Sequence, residues 1–304
     1  LDRITAGWQK SDLIIVAARP GMGKTAFTLS LAANAAIQFN RPVAFFSLEM
    51  SSVQLVNRLI SAQAEISSES IRKGQLEPYE WQQLNSKIVP LSDAPIFIDD
   101  TPALSVFELR AKCRRLVAEK KVQLIIIDYM QLMVAGTDNR NGNREQEIST
   151  ISRSLKAIAK ELEVPIICLS QLSREVEKRG TASKRPQLSD LRESGAIEQD
   201  ADMVMFIYRP EYYDMDVDEN GDSTKNTAEI IIAKNRNGSL NNVKLTFIGQ
   251  YTKFKDLEVK RQEDPSYHYT DESSKVRMPN PNVEAENRYT RGSRMNDMPD
   301  EDLV

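Results

Sequence analysis

Ala18-Arg19-Pro20-Gly21-Met22-Gly23-Lys24-Thr25 is the segment best equipped for chemistry in this 304-residue chain. Its glycines let backbone N–H groups turn inward around a pair of phosphates. The Lys24 amine adds a full positive charge, and the Thr25 hydroxyl can sit on a divalent cation. The pattern departs from a strict P-loop at Ala18, where glycine is usual. A chance Gly-Lys-Thr at an ordinary turn would not come with this setting. The apolar run Leu13-Ile14-Ile15-Val16-Ala17 precedes it, and a helical pattern from about Lys24 to Gln38 follows. A helix start there adds its own partial positive charge.

Other polar residues stand where apolar runs end. Asp128 closes Leu124-Ile125-Ile126-Ile127, which has no polar face and suits the centre of a parallel sheet. A carboxylate delivered there can support Mg²⁺. Glu49 follows Phe45-Phe46-Ser47-Leu48 and could orient and deprotonate an attacking water. Asp99 and Asp100 occupy a similar strand end and compete for that role. Gln171 follows Leu169-Ser170, where an amide could sense a γ-phosphate or simply be a polar loop residue. The only histidine, His268, sits in a polar tail, so any proton acceptor must be a carboxylate. Cys113 and Cys168 have no CxxC partner, which suggests neither a disulfide framework nor a zinc site and fits a reducing cytoplasm.

The elements that must position these residues alternate. Short β-branched runs at 13–17, 43–47, 96–99, 123–128 and 165–170 are separated by helical stretches. Ser51 or Ser52 caps one helix, Ser105 with Glu108 forms a capping box for another, and a long helix covers about Glu145 to Glu163. This order predicts an α/β fold with a mostly parallel central sheet flanked by helices. After about residue 200, runs at 203–208, 228–233, 243–248 and 252–254 follow without helices, as antiparallel hairpins would. Segments 136–143, 173–189 and 214–226 read as loops. There is no internal repeat, no apolar run long enough to span a bilayer and no secretory signal at Leu1. The absence of an initiator Met suggests a fragment or a processed product.

One domain is expected over residues 1–257 and a disordered acidic tail over 258–304, where aliphatics are few and charges and prolines many. Residues 256–304 hold 12 acidic and 7 basic side chains, so the net charge of −4 comes from the tail and the body is near +1. A near-neutral body can bind nucleic acid through local loops, but no basic surface announces it.

Several segments together resemble the C-terminal RecA-like ATPase domain of the DnaB-type replicative helicase family. They are Leu1-Asp2-Arg3-Ile4-Thr5-Ala6-Gly7-Trp8, the run from Asp12 to Pro20, Phe46-Ser47-Leu48-Glu49-Met50 and Ile126-Ile127-Asp128-Tyr129-Met130-Gln131-Leu132. Leu169-Ser170-Gln171-Leu172-Ser173-Arg174 and Ala233-Lys234-Asn235-Arg236-Asn237-Gly238 add to them. The most specific is Ser189-Asp190-Leu191-Arg192-Glu193-Ser194-Gly195-Ala196-Ile197-Glu198-Gln199-Asp200-Ala201-Asp202. The resemblance covers about residues 1–257, stops at the tail, and makes Ala18 normal for the motif.

The resemblance implies a RecA-like P-loop NTPase that uses ATP and Mg²⁺. Ala18 to Thr25 would bind the nucleotide, with Lys24 also catalytic. Thr25 and Asp128 would hold Mg²⁺, partly through water, and Glu49 rather than Asp99 or Asp100 would be the catalytic carboxylate. Gln171 would couple the γ-phosphate to DNA-contacting loops. Arg192, Glu193 and Gly195 would face single-stranded DNA in a central channel, with loop 136–144 as a second channel loop. Lys234 and Arg236 would reach the γ-phosphate of a neighbouring subunit. From chemistry alone, Arg192 and Glu193 could be a surface ion pair, and Arg236 a residue beside the Asn237-Gly238 hairpin turn.

The implied activity is movement along single-stranded DNA, 5′ to 3′, and unwinding of duplex at the replication fork by a homohexameric ring. The implied partners are primase and a helicase loader, in the cytoplasm and away from membranes. An N-terminal domain and linker helix would belong to the whole protein. A RecA- or RadA-like recombinase and a non-motor ATP switch share the fold. Residues 189–202 argue against both by resemblance.

Overall fold

The computed structural model describes residues 1–136, 144–180, 184–191, 195–217 and 221–257. The expected tail at 258–304, loop residues 137–143, and Arg192 and Glu193 lie outside the described residues. A short helix, α1 (Asp2–Thr5), precedes β1 (Leu13–Ala18). Next comes α2 (Lys24–Ala33), which widens into a π-helical turn at Asn34–Gln38 where the sequence predicted one continuous helix. β2 (Val43–Ser47) leads into α3 (Ser52–Ala64), α4 (Ser68–Lys73) and α5 (Pro78–Ser92). β3 (Ile96–Asp99), α6 (Val106–Lys120), β4 (Leu124–Asp128) and α7 (Arg144–Leu162) follow. Then come β5 (Ile166–Gln171), α8 (Glu175–Lys178) and α9 (Gly195–Asp200). The described residues end with β6 (Met203–Tyr208), β7 (Thr227–Asn235), β8 (Asn241–Ile248) and β9 (Lys253–Asp256).

Local sequence explains the ends of these helices. Ser51 with Gln54 and Ser105 with Glu108 form reciprocal capping boxes at α3 and α6. α8 falls inside a segment expected to be loop; at Glu175–Lys178 it is a single turn, with Val176 buried beneath it.

The strands form one nine-stranded sheet in the order β3-β2-β4-β5-β1-β6-β7-β8-β9. From β3 through β6 every pairing is parallel, and from β6 onward every pairing is antiparallel. β6 therefore belongs to both parts: it opens the expected hairpin extension but itself lies parallel to β1. β1, β2, β4 and β6 are buried along their whole length. Each fully buried aliphatic in them contributes roughly 1.5–3 kcal/mol, so these strands are the rigid base of the site. Two groups of mutually contacting helices flank the sheet, α2 to α5 and α6, α7 and α9.

Candidate functional site

Parallel strands finish at a common edge, and an open α/β sheet binds its ligands there. Ala18 is in register with Gln171, and Ser47 with Asp128, so the ends of β1, β5, β2 and β4 form one row. The loop after β1 turns through Met22 N–H, which donates to Arg19 O at 3.3 Å. Gly21 and Gly23 take left-handed φ values of +81° and +94°. The Phe27 N–H then donates to Gly23 O at 2.8 Å as the helix begins. Met22 is buried and anchors the loop. The Arg19 side chain is already engaged within the protein: it donates to Leu172 O at 2.8 Å and forks onto Glu177 of α8 at 2.9–3.0 Å. Residues 18–23 thus offer backbone, while Lys24 and Thr25 offer side chains.

A methyl group on Gly23 would meet the ring of Phe254 at 3.1 Å and that of Phe247 at 3.3 Å. A side chain in a left-handed conformation costs about 1–3 kcal/mol, which a loop relieves by rotating its N–H groups outward. Gly23→Ala is therefore expected to weaken nucleotide binding by about tenfold or more, measured by titration with a fluorescent ATP analogue. Unchanged affinity would mean that this loop does not hold the phosphates.

Beside the loop, Thr25 Oγ1 donates to Asp128 Oδ2 at 2.7 Å. The other oxygen, Asp128 Oδ1, is buried without a hydrogen-bond partner. An orphaned carboxylate oxygen next to a hydroxyl suits a divalent cation. Burial, reinforced by Glu49, pushes the Asp128 carboxyl above the usual range, against the Thr25 hydrogen bond and Lys24. Burial also pulls the Lys24 amine down, while Asp128 and Glu49 draw it back up. Lys24 Nζ meanwhile donates to Ala18 O at 3.1 Å. Among the described residues no three His, Cys, Asp or Glu side chains gather into a metal cage. A cation here would lean on phosphate oxygens, as Mg²⁺ commonly does.

Glu49 is exposed on the turn that follows β2. Ser47 Oγ clasps that turn, donating to Met50 O at 2.7 Å and accepting from Met50 N at 3.2 Å. The Leu48 N–H donates to Asp128 O at 2.7 Å, which hangs the turn beside the Asp128 carboxylate. The competing carboxylates have other partners. Lys112 Nζ holds both oxygens of Asp99 at 2.7–2.9 Å, and Asp100 accepts from Ser52 N at 2.7 Å at the start of α3. Their strand, β3, is the outer edge of the sheet.

Gln171 ends β5 opposite Ala18, and its N–H donates to Gln131 Oε1 at 3.3 Å. Gln131 Nε2 donates in turn to Ser170 Oγ at 2.9 Å. Two residues on, Ser173 N donates to Asp190 O at 3.0 Å. Asp190 is buried and holds Arg179 and the N–H of Gln187. One main-chain hydrogen bond thus links the segment just after β5 to Asp190, two residues before Arg192. Gly195 is the exposed first residue of α9.

Lys234 and Arg236 lie at the opposite edge. Asn235 pairs with Met203, which is level with Ile14 near the start of β1. The Arg236 N–H donates to Asp202 O at 2.9 Å, and the Asp202 N–H to Leu13 O at 2.9 Å. The length of β1, about 17 Å at 3.3 Å per residue, separates this hairpin from the phosphate loop of its own chain. Lys234 Nζ donates to the carbonyls of Glu198 and Ala201 at the end of α9, and burial lowers its pKa. Neither cation can serve the phosphate loop of its own chain.

Two flanking residues escaped sequence reasoning. Arg209 stacks on Phe247 at 4.2 Å and donates to Gly21 O at 3.3 Å. The Tyr212 ring lies 3.0 Å from where a Gly21 Cβ would stand. Their signal was the run Tyr208-Arg209-Pro210-Glu211-Tyr212-Tyr213, dense in aromatics directly after a core strand.

A phosphate loop leaving the central strand of such a sheet, with Asp128 at the end of the second strand over, defines a RecA-like P-loop nucleotide-binding domain. The family model for the DnaB-like helicase C-terminal domain matches residues 1–256, and the chain belongs to that family. It is 55% identical over 258 residues to the replicative DNA helicase DnaB of Geobacillus stearothermophilus, spanning 85% of this chain and 55% of that protein. It is 52% identical, with the same coverage, to the replicative DNA helicase DnaC of Bacillus subtilis strain 168. The chain spans about half the length of these curated relatives. A DnaB-like replicative helicase, solved in a study of its interactions with primase, superposes with a TM-score of 0.76 at 40% identity, covering 84% of this chain and 60% of that one. A separately solved ATPase domain gives the same TM-score and identity over 84% of this chain and 88% of its own.

Proposed function

We propose that this domain hydrolyses ATP between adjacent copies in a homohexameric ring and so drives the ring 5′ to 3′ along single-stranded DNA, unwinding duplex at the replication fork. The observation that carries this reading is the division of the machinery. The phosphate loop and carboxylates lie at one edge of the sheet, and Lys234 and Arg236 about 17 Å away at the other. A second copy is needed to bring them together.

Residues 18–25 cradle the triphosphate through backbone N–H groups and Lys24. Thr25 and Asp128 would hold Mg²⁺, partly through water, and when bound it neutralises phosphate charge. Glu49 orients the attacking water and accepts its proton. Arg236 and Lys234 of the adjacent copy stabilise charge developing on the transferred phosphoryl group. Gln171 reads the γ-phosphate, and the Ser173–Asp190 link carries its position to Leu191 and so to Arg192, Glu193 and Gly195. Those residues, with loop 136–144, contact the DNA backbone without reading sequence. Primase and a helicase loader are the expected partners, and the replication fork in the cytoplasm the expected place. Among the described residues no helix is long and apolar enough to cross a membrane.

The test is strand separation on forked DNA by the full-length protein, with Glu49→Gln as the control. Losing the proton acceptor is expected to slow ATP turnover and unwinding by about 10²-fold or more, with nucleotide still bound. Strand exchange without unwinding would make the domain a recombinase. Turnover indifferent to DNA would make it a switch.

A further inference from the structure

We propose that Asp202 is a positioning residue for catalysis in the adjacent copy: it holds one terminal nitrogen of the Arg236 guanidinium and, with Gln199 O, leaves the remaining N–H groups for a phosphate. The inference rests on the trans role of Arg236 given under the proposed function. Asp202 stands before β6, and its side chain is only 8% exposed, whereas that of Arg236 is 47% exposed. Asp202 Oδ1 accepts from Arg236 Nη1 at 3.1 Å, and Arg236 Nη2 donates to Gln199 O. Two of the five N–H donors of a guanidinium are thereby engaged. The carboxylate is itself fixed, because Oδ2 accepts from Leu13 N at 2.8 Å and from Lys156 Nζ of α7. A long side chain on a hairpin would otherwise spread over many rotamers, and tethering both terminal nitrogens removes much of that freedom.

The charge balance also fits. An isolated Arg–Asp pair is neutral and would do little for a transferring phosphoryl group. Lys156 supplies a second positive charge on the buried side of Asp202, and its Nζ also donates to Ser11 O at 2.8 Å. The triad of Asp202, Lys156 and Arg236 therefore keeps one net positive charge, and Arg236 is its most exposed member. Other charged groups nearby are Lys234, bound to the carbonyls of Glu198 and Ala201, the Glu198 and Asp200 carboxylates that offset Lys234, and Asp12, which accepts from Asn237 Nδ2 at 3.0 Å and steadies the hairpin turn.

A double-mutant cycle in the full-length protein tests this. Asp202→Asn keeps an oxygen for the Leu13 N–H but removes the charge that grips Arg236. Its kcat for ATP is expected to fall about 10- to 100-fold, the size of loss when a supporting contact is removed, with KM within about twofold. In an Arg236→Ala background the same change should cost almost nothing further. Asp202→Glu keeps the charge in the triad and should lose less than Asp202→Asn in the same cycle, which covers the case of a poorly folded amide variant. Equal losses in both backgrounds, tracking a lower Tm, would overturn the proposal and leave Asp202 a structural residue. A full effect of Arg236→Ala with none from Asp202→Asn would overturn it while sparing the trans role of Arg236. No effect from Arg236→Ala would remove both.

Discussion

Arg236→Ala lowers ATP turnover by about 10³-fold or more and leaves nucleotide binding nearly intact; this is the expected result, set by the usual contribution of an arginine supplied in trans. The size follows from where the charge acts. Negative charge shifts during phosphoryl transfer, and under the proposed function a guanidinium brought by the adjacent copy would stabilise it. A factor of 10³ corresponds to about 4 kcal/mol of transition-state stabilisation. Ground-state binding would depend instead on residues 18–25, at the far edge of the sheet. The hairpin should survive the change, because Arg236 meets Asp202 O through its backbone N–H. Phosphate release and titration with a fluorescent analogue would separate kcat from affinity. Loss of affinity alongside kcat would point to a collapsed hairpin rather than a missing charge.

Lys24→Ala is expected to remove both binding and turnover, taking kcat down by at least about 10³-fold, more than the cost of one neutral donor. Lys24 is the cation between two carboxylates, Asp128 and Glu49, both of which draw its pKa upward. Without it the triphosphate would face the Asp128 and Glu49 carboxylates with no amine between to offset them. Steady turnover by this variant would sink the phosphate-loop reading altogether. Mixing the two variants offers a further check. A copy lacking Lys24 still presents Arg236, and a copy lacking Arg236 still holds nucleotide, so mixed assemblies should recover activity that neither has alone.

The phosphate site was legible in the sequence because it is local. Residues 13–25 carry strand, loop and helix in one uninterrupted stretch, and Asp128 ends a run with no polar face. The helices between residues 65 and 95 were not legible. α5 buries none of its residues and contains Pro90, so it offers no apolar stripe to read. The partners of Asp202 could not be read either. Leu13, Lys156 and Arg236 are 189, 46 and 34 residues away, and only the folded sheet brings them together. The contest among Glu49, Asp99 and Asp100 has the same character. All three stand at or just past the end of a strand, and what separates them is that Lys112 and Ser52 have already engaged the two aspartates.

The rings of Phe254 and Phe247, which stand where a Gly23 side chain would go, imply an order of events during protein synthesis. The phosphate loop leaves the ribosome before the strands that flank it, and β1 stays unpaired until β5 and β6 have emerged, since it lies between them. At about 5–20 residues per second, the interval from residue 18 to residue 208 is about 10–40 s. Even then the loop lacks the aromatic wall supplied by β8 and β9. The loop therefore gains its full surroundings only as β8 and β9 appear, some time after the central strand has found its partners.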